Sequence, residues 1–382
     1  MRTILILISL LLGFSAPHLW ADGYAKSPVA LVTQTETDAE QLPAALAGYA
    51  LAEKALRDTP EWTPPKRILI TLNAFGITEG MDDVLHGIEL VVTPGFTGGP
   101  DARGDFDAVL LMCGAALDEV GSVRWIHTYS AGVEGCLNHK TMLANPDALV
   151  TNSRGAAAAT IAEHAIAMMM SLGRKLPTFR DKMKDAKWAS QAVPRQEFST
   201  VRGKTVLVLG LGRIGTESAR LANALGMRVM ATRNSRREGP DFVDYVGLSS
   251  ESVELAAKAD VVINALPYTA ATKHIVNAEF LEAMPAHATF INVGRGGTVD
   301  TEALIKALEE KSIAAAGLDV TDPEPLPANS KLWAMDNVLI TPHIAAASVE
   351  ALQLTGMIAR ENLKRFIRGD KLINPVNRDK AY

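Results

Sequence analysis

Thr205-Val206-Leu207-Val208-Leu209 runs directly into Gly210-Leu211-Gly212-Arg213-Ile214-Gly215, and a helical stretch follows that ends near Gly226. The first five residues predict a strand, and the glycines after it predict a tight turn that opens a helix. A bare G-x-G-x-x-G is weak evidence, because glycine-rich turns are common. Here the strand before and the helix after supply the context that phosphate binding needs. Gly210 permits the turn, Gly212 lets backbone amides approach a pyrophosphate, and Gly215 lets the helix pack on the strand. Leu211, Arg213 and Ile214 fill the rest of the turn, and the helix N-terminus presents its positive dipole end to the anion. The stretch reads as the phosphate-binding turn of a Rossmann domain.

The next strand bears on which dinucleotide binds. An NAD site places an Asp or Glu about 20 residues downstream, on the ribose hydroxyls. Here Arg228-Val229-Met230-Ala231 ends in Thr232-Arg233-Asn234-Ser235-Arg236-Arg237, which holds no carboxylate. Arg233 stands where the acid would be, and a guanidinium can hold a 2′-phosphate through two parallel hydrogen bonds. Ser235 and Arg236 are candidates beside it, whereas Arg237 reads equally well as a solvated basic loop. NADP is the expected cofactor, with NAD as second choice.

Working outward, strands are predicted at Lys204–Leu209, Arg228–Ala231, Val261–Ala265, Thr289–Val293, Ala314–Val320 and Asn337–Thr341. Helices fall near Ile214–Leu225, Asn277–Met284 and Thr301–Glu310, giving six strands in β–α alternation. Upstream, Lys66–Thr71, Ile88–Thr93, Asp107–Met112 and Arg124–Thr128 form a second strand series. Pro28–Thr33 reads as a further strand and Asp38–Arg57 as a helix. Ala156–Leu172 is a long apolar helix, and the helical tail from Ala347 to Ile367 has no strand partner, so it is expected to return to the first unit. The fold class is α/β, with two Rossmann/flavodoxin-like domains, each a doubly wound parallel sheet, and a cleft between them. Residues 22–150, completed by 346–382, form the substrate domain, and residues 151–345 form the dinucleotide-binding domain.

The 382 residues suit two domains, and the formal charge of −5 argues against a nucleic-acid partner. Arg2, the apolar run Ile4–Phe14 and a small residue at Ala21 describe a secretory signal peptide over residues 1–21, although Leu19 sits where a small residue is preferred. No integral membrane segment is expected after processing, because no stretch reaches the roughly 18–20 apolar residues of a span. Either an exported NADP enzyme loads its cofactor first, or the apolar start is not a working signal; the alternatives are a first buried strand and a cytoplasmic protein. Cys113 and Cys136 are the only cysteines and lack metal-ligand spacing. Two buried free thiols are expected, with a disulfide as the alternative in an oxidising compartment. No metal site is expected.

Three segments after strands carry candidate chemistry. They are Asn292-Val293-Gly294-Arg295-Gly296, Leu318-Asp319-Val320 leading to Glu324-Pro325, and Thr341-Pro342-His343. Reducing a 2-oxo acid needs a cation for the carboxylate and carbonyl oxygen, a hydride donor, and an acid for the new alkoxide. Arg, His and a carboxylate that orients the His are the residue types for this work. Alone, His343 reads as a packed core histidine and Arg295 as a helix cap; together, beside a cofactor turn, they read as an active site.

These segments, with Leu266-Pro267-Tyr268-Thr269 and the glycine-rich turn, resemble the D-2-hydroxyacid dehydrogenase family, which includes glyoxylate/hydroxypyruvate reductases and phosphoglycerate dehydrogenases. The resemblance runs from about Lys66 to the C-terminus and implies an NAD(P)-dependent oxidoreductase that interconverts small 2-oxo and D-2-hydroxy acids. It further implies His343 as acid/base, Glu324 as its carboxylate partner with Asp322 as rival, and Arg295 orienting and polarising the substrate. Asp319 would approach the nicotinamide carboxamide, with Leu266, Pro267, Thr272, Val293 and Gly294 lining the cofactor cleft. Trp125–Val133 matches the loop whose amides hold the substrate carboxylate, with Ala131 and Gly132 the chosen residues. A homodimer is expected. Residues 25–65 precede the usual start of the family pattern. The competing reading is a non-catalytic dinucleotide sensor or corepressor-like protein on the same fold; formate oxidation is a weaker third.

Overall fold

The computed structural model describes residues 42–71, 73, 76–95 and 100–378. The signal-like start and the strand expected at Pro28–Thr33 lie outside the described residues.

The apolar runs become two parallel sheets. Strands β1 (Arg67–Thr71), β2 (Glu89–Thr93), β3 (Gly104–Leu111), β4 (Val120–Thr128) and β5 (Leu149–Asn152) lie in the order β2-β1-β3-β4-β5. Strands β6 (Thr205–Leu209), β7 (Arg228–Arg233), β8 (Tyr245–Leu248), β9 (Val261–Asn264), β10 (Thr289–Asn292), β11 (Ala315–Leu318) and β12 (Val338–Ile340) lie in the order β12-β11-β10-β9-β6-β7-β8. Strand β9 is buried throughout and β1 along all but its first residue. Continuous rather than alternating apolar runs are what a parallel sheet needs when helices cover both faces.

Three expectations are corrected. The second sheet has a seventh strand, β8, an edge strand whose Tyr245-Val246-Gly247-Leu248 is short and interrupted by glycine. Strand β5 pairs with β4 through Asn152, so the first sheet runs two residues past the boundary expected at 150. The helix expected over Asp38–Arg57 is absent from its described part, which carries only the short turns Ala44–Leu46 and Leu56–Asp58. Pro43 lacks an amide hydrogen, and Gly48 takes φ +82°, so the Ala/Leu spacing there cannot propagate a helix.

The helix Ala158–Gly173 buries Ala165, Met168, Met169 and Leu172 against Val206, Val208 and Ile291 of the second sheet. The C-terminal helix, Val349–Arg368, is capped by Ser348 and stopped by Gly369 at φ +73°. It packs Ala359, Leu363 and Phe366 on Ile68, Ile70 and Trp125 of the first sheet, with Phe366 stacked on Trp125 at 4.7 Å between ring centres. The tail does return to the first unit.

The expectation of free thiols is also overturned: Cys113 and Cys136 form a disulfide, their Cα atoms 4.9 Å apart. Cys113 lies just past β3, and Cys136 lies in the short helix Glu134–Leu137 that follows β4. Pairing of β3 with β4 brings the two ends together. That proximity falls within the range a disulfide needs, and spacing along the chain does not reveal it.

Candidate active site

In the second sheet every segment of interest leaves a strand at its carboxyl end. Across the sheet, from the β12 side, these are His343, then Asp319 and Glu324, then Arg295, then the loop from Leu266. The phosphate turn and Arg233 follow. The chain reverses direction between β9 and β6, the switch point where open α/β sheets bind ligands.

The turn at β6 fits a dinucleotide phosphate. Gly210 sits at φ +87°, and a Cβ on Gly215 would lie 2.0 Å from the Gly210 carbonyl oxygen, so both must be glycine. A Cβ on Gly212 would meet nothing within 4 Å, so the space beside this residue of the turn is open. Leu211 is buried and donates its amide to the Thr232 carbonyl at 3.0 Å, which ties the turn to β7. Ile214 is half-buried and packs against the core that holds Ala219 and Val229, and Arg213 opens the helix Arg213–Ala224.

At the end of β7, the Nε of Arg233 is buried without a hydrogen-bond partner among the described residues. An orphaned guanidinium nitrogen at this position fits the binding of an anionic group. Ser235 and Arg236 are exposed. Arg237 is instead committed to Glu251 at 2.7 Å and to the Tyr245 hydroxyl at 3.0 Å.

On the other side of the switch point, Leu266 is buried, and its amide donates to Asn264 at 3.2 Å. Thr272 donates to the Pro267 carbonyl at 2.7 Å and closes this loop on itself. Val293 is buried, and a Cβ on Gly294 would lie 2.7 Å from the Leu266 carbonyl oxygen. The loops after β9 and β10 therefore touch through a glycine.

Arg295 reaches from the second sheet to the first. Its Nη1 donates to the Gly294 carbonyl at 2.9 Å, and its Nε lies 3.6 Å from Glu134. A Cβ on Gly132 would come within 2.6 Å of Arg295 Nη2 and 2.7 Å of Glu134 Oε2. Gly132 therefore brings the loop after β4 against the guanidinium, and Glu134 is a neighbour that the sequence did not single out. Asn152 donates to the Ala131 carbonyl at 2.8 Å, and Ser130 to the Gly132 carbonyl at 2.6 Å. With their carbonyls engaged, Ala131 and Gly132 are held in an ordered loop.

His343 Nδ1 lies 2.5 Å from Glu324 Oε1. A carboxylate only accepts, so Nδ1 donates and Nε2 is left for other chemistry. Asp322 is not the partner; its backbone carbonyl accepts from Thr301 at 2.7 Å. His343 itself holds φ +53°, uncommon for a residue with a side chain. Asp319 supports that conformation. Its backbone carbonyl accepts from the His343 amide at 2.8 Å, and its Oδ1 from the Thr341 hydroxyl at 2.6 Å and the Ile344 amide at 3.0 Å. Its Oδ2 accepts from the Ala345 amide at 3.1 Å. What remains for a carboxamide is one acceptor position on Oδ2. His164, also missed in the sequence, lies 2.9 Å from the Thr341 hydroxyl and backs this network.

His127, in the loop-bearing strand β4, is a different kind of histidine. It is fully buried against Thr151, and burial pushes its pKa down to about 3, so it stays neutral. His343, by contrast, is about half exposed beside Glu324.

Residues 166–345 match the family described as D-isomer specific 2-hydroxyacid dehydrogenase, NAD binding domain. A glyoxylate reductase from Pyrococcus furiosus is 32% identical over 292 residues, covering 72% of this chain and 83% of that protein. The structure of an NADPH-dependent glyoxylate/hydroxypyruvate reductase from Sinorhizobium meliloti, with NADP and malonate, superposes with a TM-score of 0.68 at 29% identity. It covers 82% of this chain and 98% of its own. A D-isomer specific 2-hydroxyacid dehydrogenase from Xanthobacter autotrophicus, in complex with NADPH and MES, gives a TM-score of 0.68 at 26% identity, covering 84% and 100%. With the site geometry and these likenesses together, the chain belongs to the D-isomer specific 2-hydroxyacid dehydrogenases and is an NAD(P)-dependent oxidoreductase.

Proposed function

We propose that this enzyme reduces a small 2-oxo acid of the glyoxylate or hydroxypyruvate type to the D-2-hydroxy acid, with NADPH as reductant. The observation that carries this reading is the pairing of His343 with Glu324 on the same sheet edge from which Arg295 reaches across to Gly132. When bound, the reduced nicotinamide supplies the hydride. The backbone amides of Ala131 and Gly132 bind the substrate carboxylate, and Arg295 orients the acid and draws charge onto its 2-oxo oxygen. His343 donates its Nε2 proton to that oxygen, held at the right angle by Glu324. NADPH oxidation by the purified protein, measured against a panel of 2-oxo acids, tests the reading. Turnover of short acids supports it; nucleotide that binds but is not consumed with any acid overturns it.

Arg233 is our choice for the 2′-phosphate, on its orphaned Nε and on the absence of a carboxylate in Thr232–Arg237. Arg233→Asp is expected to shift preference from NADPH toward NADH by about 30- to 1000-fold, or roughly 2–4 kcal/mol, because an attractive contact becomes a repulsive one. Wild-type protein that already prefers NADH removes the basis for this assignment.

We further propose an exported homodimer. The signal-like residues 1–21 and the Cys113–Cys136 disulfide support an oxidising compartment. Met183, in the helix Leu176–Lys184, and Trp188 just past it, 67% and 97% exposed, support a subunit contact. Native mass spectrometry of protein from its own host tests both. A dimer of chains starting between Asp22 and Lys26 is expected; a chain retaining Ile4–Phe14 refutes export, and a monomer refutes the dimer.

A further inference from the structure

We propose that the segment leading into β1, Leu42 to Pro65, forms part of the cofactor site, with Tyr49 the positioning residue that fixes Arg213 at the phosphate turn. This rests on the reading above that the turn holds a dinucleotide.

The segment is anchored on the first unit. Its Ala52 amide donates to Leu372 and its Ala50 carbonyl accepts from Asn374, both at 2.8 Å, and Leu51 bridges to Ile373 in antiparallel fashion. Arg57 pairs with Asp370, and Leu46 and Tyr49 share a buried cluster with Ile358 and Ile373. Between these anchors the chain crosses to the second unit. The Gly48 carbonyl accepts from Arg213 Nη2 at 2.6 Å, and the Arg213 guanidinium lies over the Tyr49 ring, 4.0 Å from its centre. The stem of Arg213 rests on Gly155, where a Cβ would come within 2.4 Å of Cδ. Arg213 is thus held on three sides: by a carbonyl, by a ring face and by a bare backbone.

None of the three cancels its charge. A guanidinium has five N–H donors, and the Gly48 carbonyl engages Nη2 alone, so donors remain for phosphate oxygens. Arg213 is also the first residue of the helix whose N-terminus closes the glycine-rich turn. A long side chain ordered before the ligand arrives loses less freedom on binding, so holding it in place strengthens affinity. Both NADPH and NADH carry the diphosphate, whereas only NADPH carries the group assigned to Arg233. The two arginines therefore leave different signatures.

The test measures NADPH and NADH dissociation constants of the full chain by nucleotide fluorescence. Tyr49→Leu keeps apolar bulk in the cluster but removes the ring face, and is expected to weaken both nucleotides by the same factor, about threefold to tenfold. Tyr49→Phe retains the ring and is expected to bind both as the wild type does. Arg213→Met leaves Tyr49 and its cluster intact and is expected to weaken both nucleotides at least as much; adding Tyr49→Leu to it should cost nothing more. If Tyr49→Leu does not fold, Arg213→Met alone decides, and wild-type affinity in that variant overturns the proposal. So does wild-type affinity in Tyr49→Leu, or a loss as large in Tyr49→Phe. Failure of the NADPH reading looks different: the wild type would prefer NADH, whatever stands at 49.

Discussion

His343→Ala is expected to lower turnover of a 2-oxo acid by about 10²- to 10⁴-fold while NADPH binds as tightly as before. The split follows from where the residue stands. His343 leaves β12 at one end of the sheet, and the phosphate turn and Arg233 lie on the far side of the switch point. In the proposed reaction its contribution is a proton delivered to an oxygen that becomes strongly basic only as the hydride arrives. Losing it raises the barrier and leaves ground-state cofactor contacts alone. Glu324→Gln should cost less than His343→Ala, because the amide can still meet Nδ1 but can do so as donor or acceptor, and the ring's tautomer is no longer dictated. Steady-state turnover at saturating substrate, with nucleotide affinity measured separately, checks both. An alanine variant that turns over at the wild-type rate would mean that the proton comes from elsewhere, and the assignment of this site would fall.

The parts of this architecture that were legible in the sequence are those whose causes are local. Gly210 and Gly215 had to be glycine for reasons contained within six residues, and the structure returns those reasons as a positive φ and a 2.0 Å approach. Arg295, Glu324 and His343 each follow a strand directly, so a linear reading placed them on one edge, and the parallel order β10-β11-β12 made them neighbours. Of the two carboxylates that the sequence offered there, Glu324 is the one that meets His343. What the sequence hid depends on distant chain coming together. The Cys113–Cys136 bond needs β3 beside β4, and Glu134 meets Arg295 only across two sheets. Tyr49 meets Arg213 only because the leading segment lies along the C-terminal tail. Asp319 is intermediate: its importance was visible, but its bonds to Thr341, Ile344 and Ala345 make it the support of the His343 loop as well as a candidate cofactor contact.

Arg295→Lys is expected to reduce kcat/KM for the 2-oxo acid by about 10²- to 10³-fold, with KM raised and kcat lowered together. The charge is retained in this variant, so the loss isolates geometry. In the wild type the guanidinium is held by the Gly294 carbonyl at Nη1, with Glu134 beside Nε and the Gly132 backbone close to Nη2. Its plane is therefore fixed before substrate enters, at the point where the loop of the first sheet meets the second. A lysine ammonium is a point charge on a flexible stem and reproduces neither the fork nor its fixed direction. Ground-state binding of the carboxylate suffers, which raises KM. Stabilisation of the charge that develops on the 2-oxo oxygen suffers as well, which lowers kcat. The two parameters, measured separately at saturating NADPH, distinguish the roles. A rise in KM alone, with kcat at the wild-type value, would show that Arg295 holds the acid equally in ground and transition states. Polarisation of the 2-oxo group would then have to come from another donor.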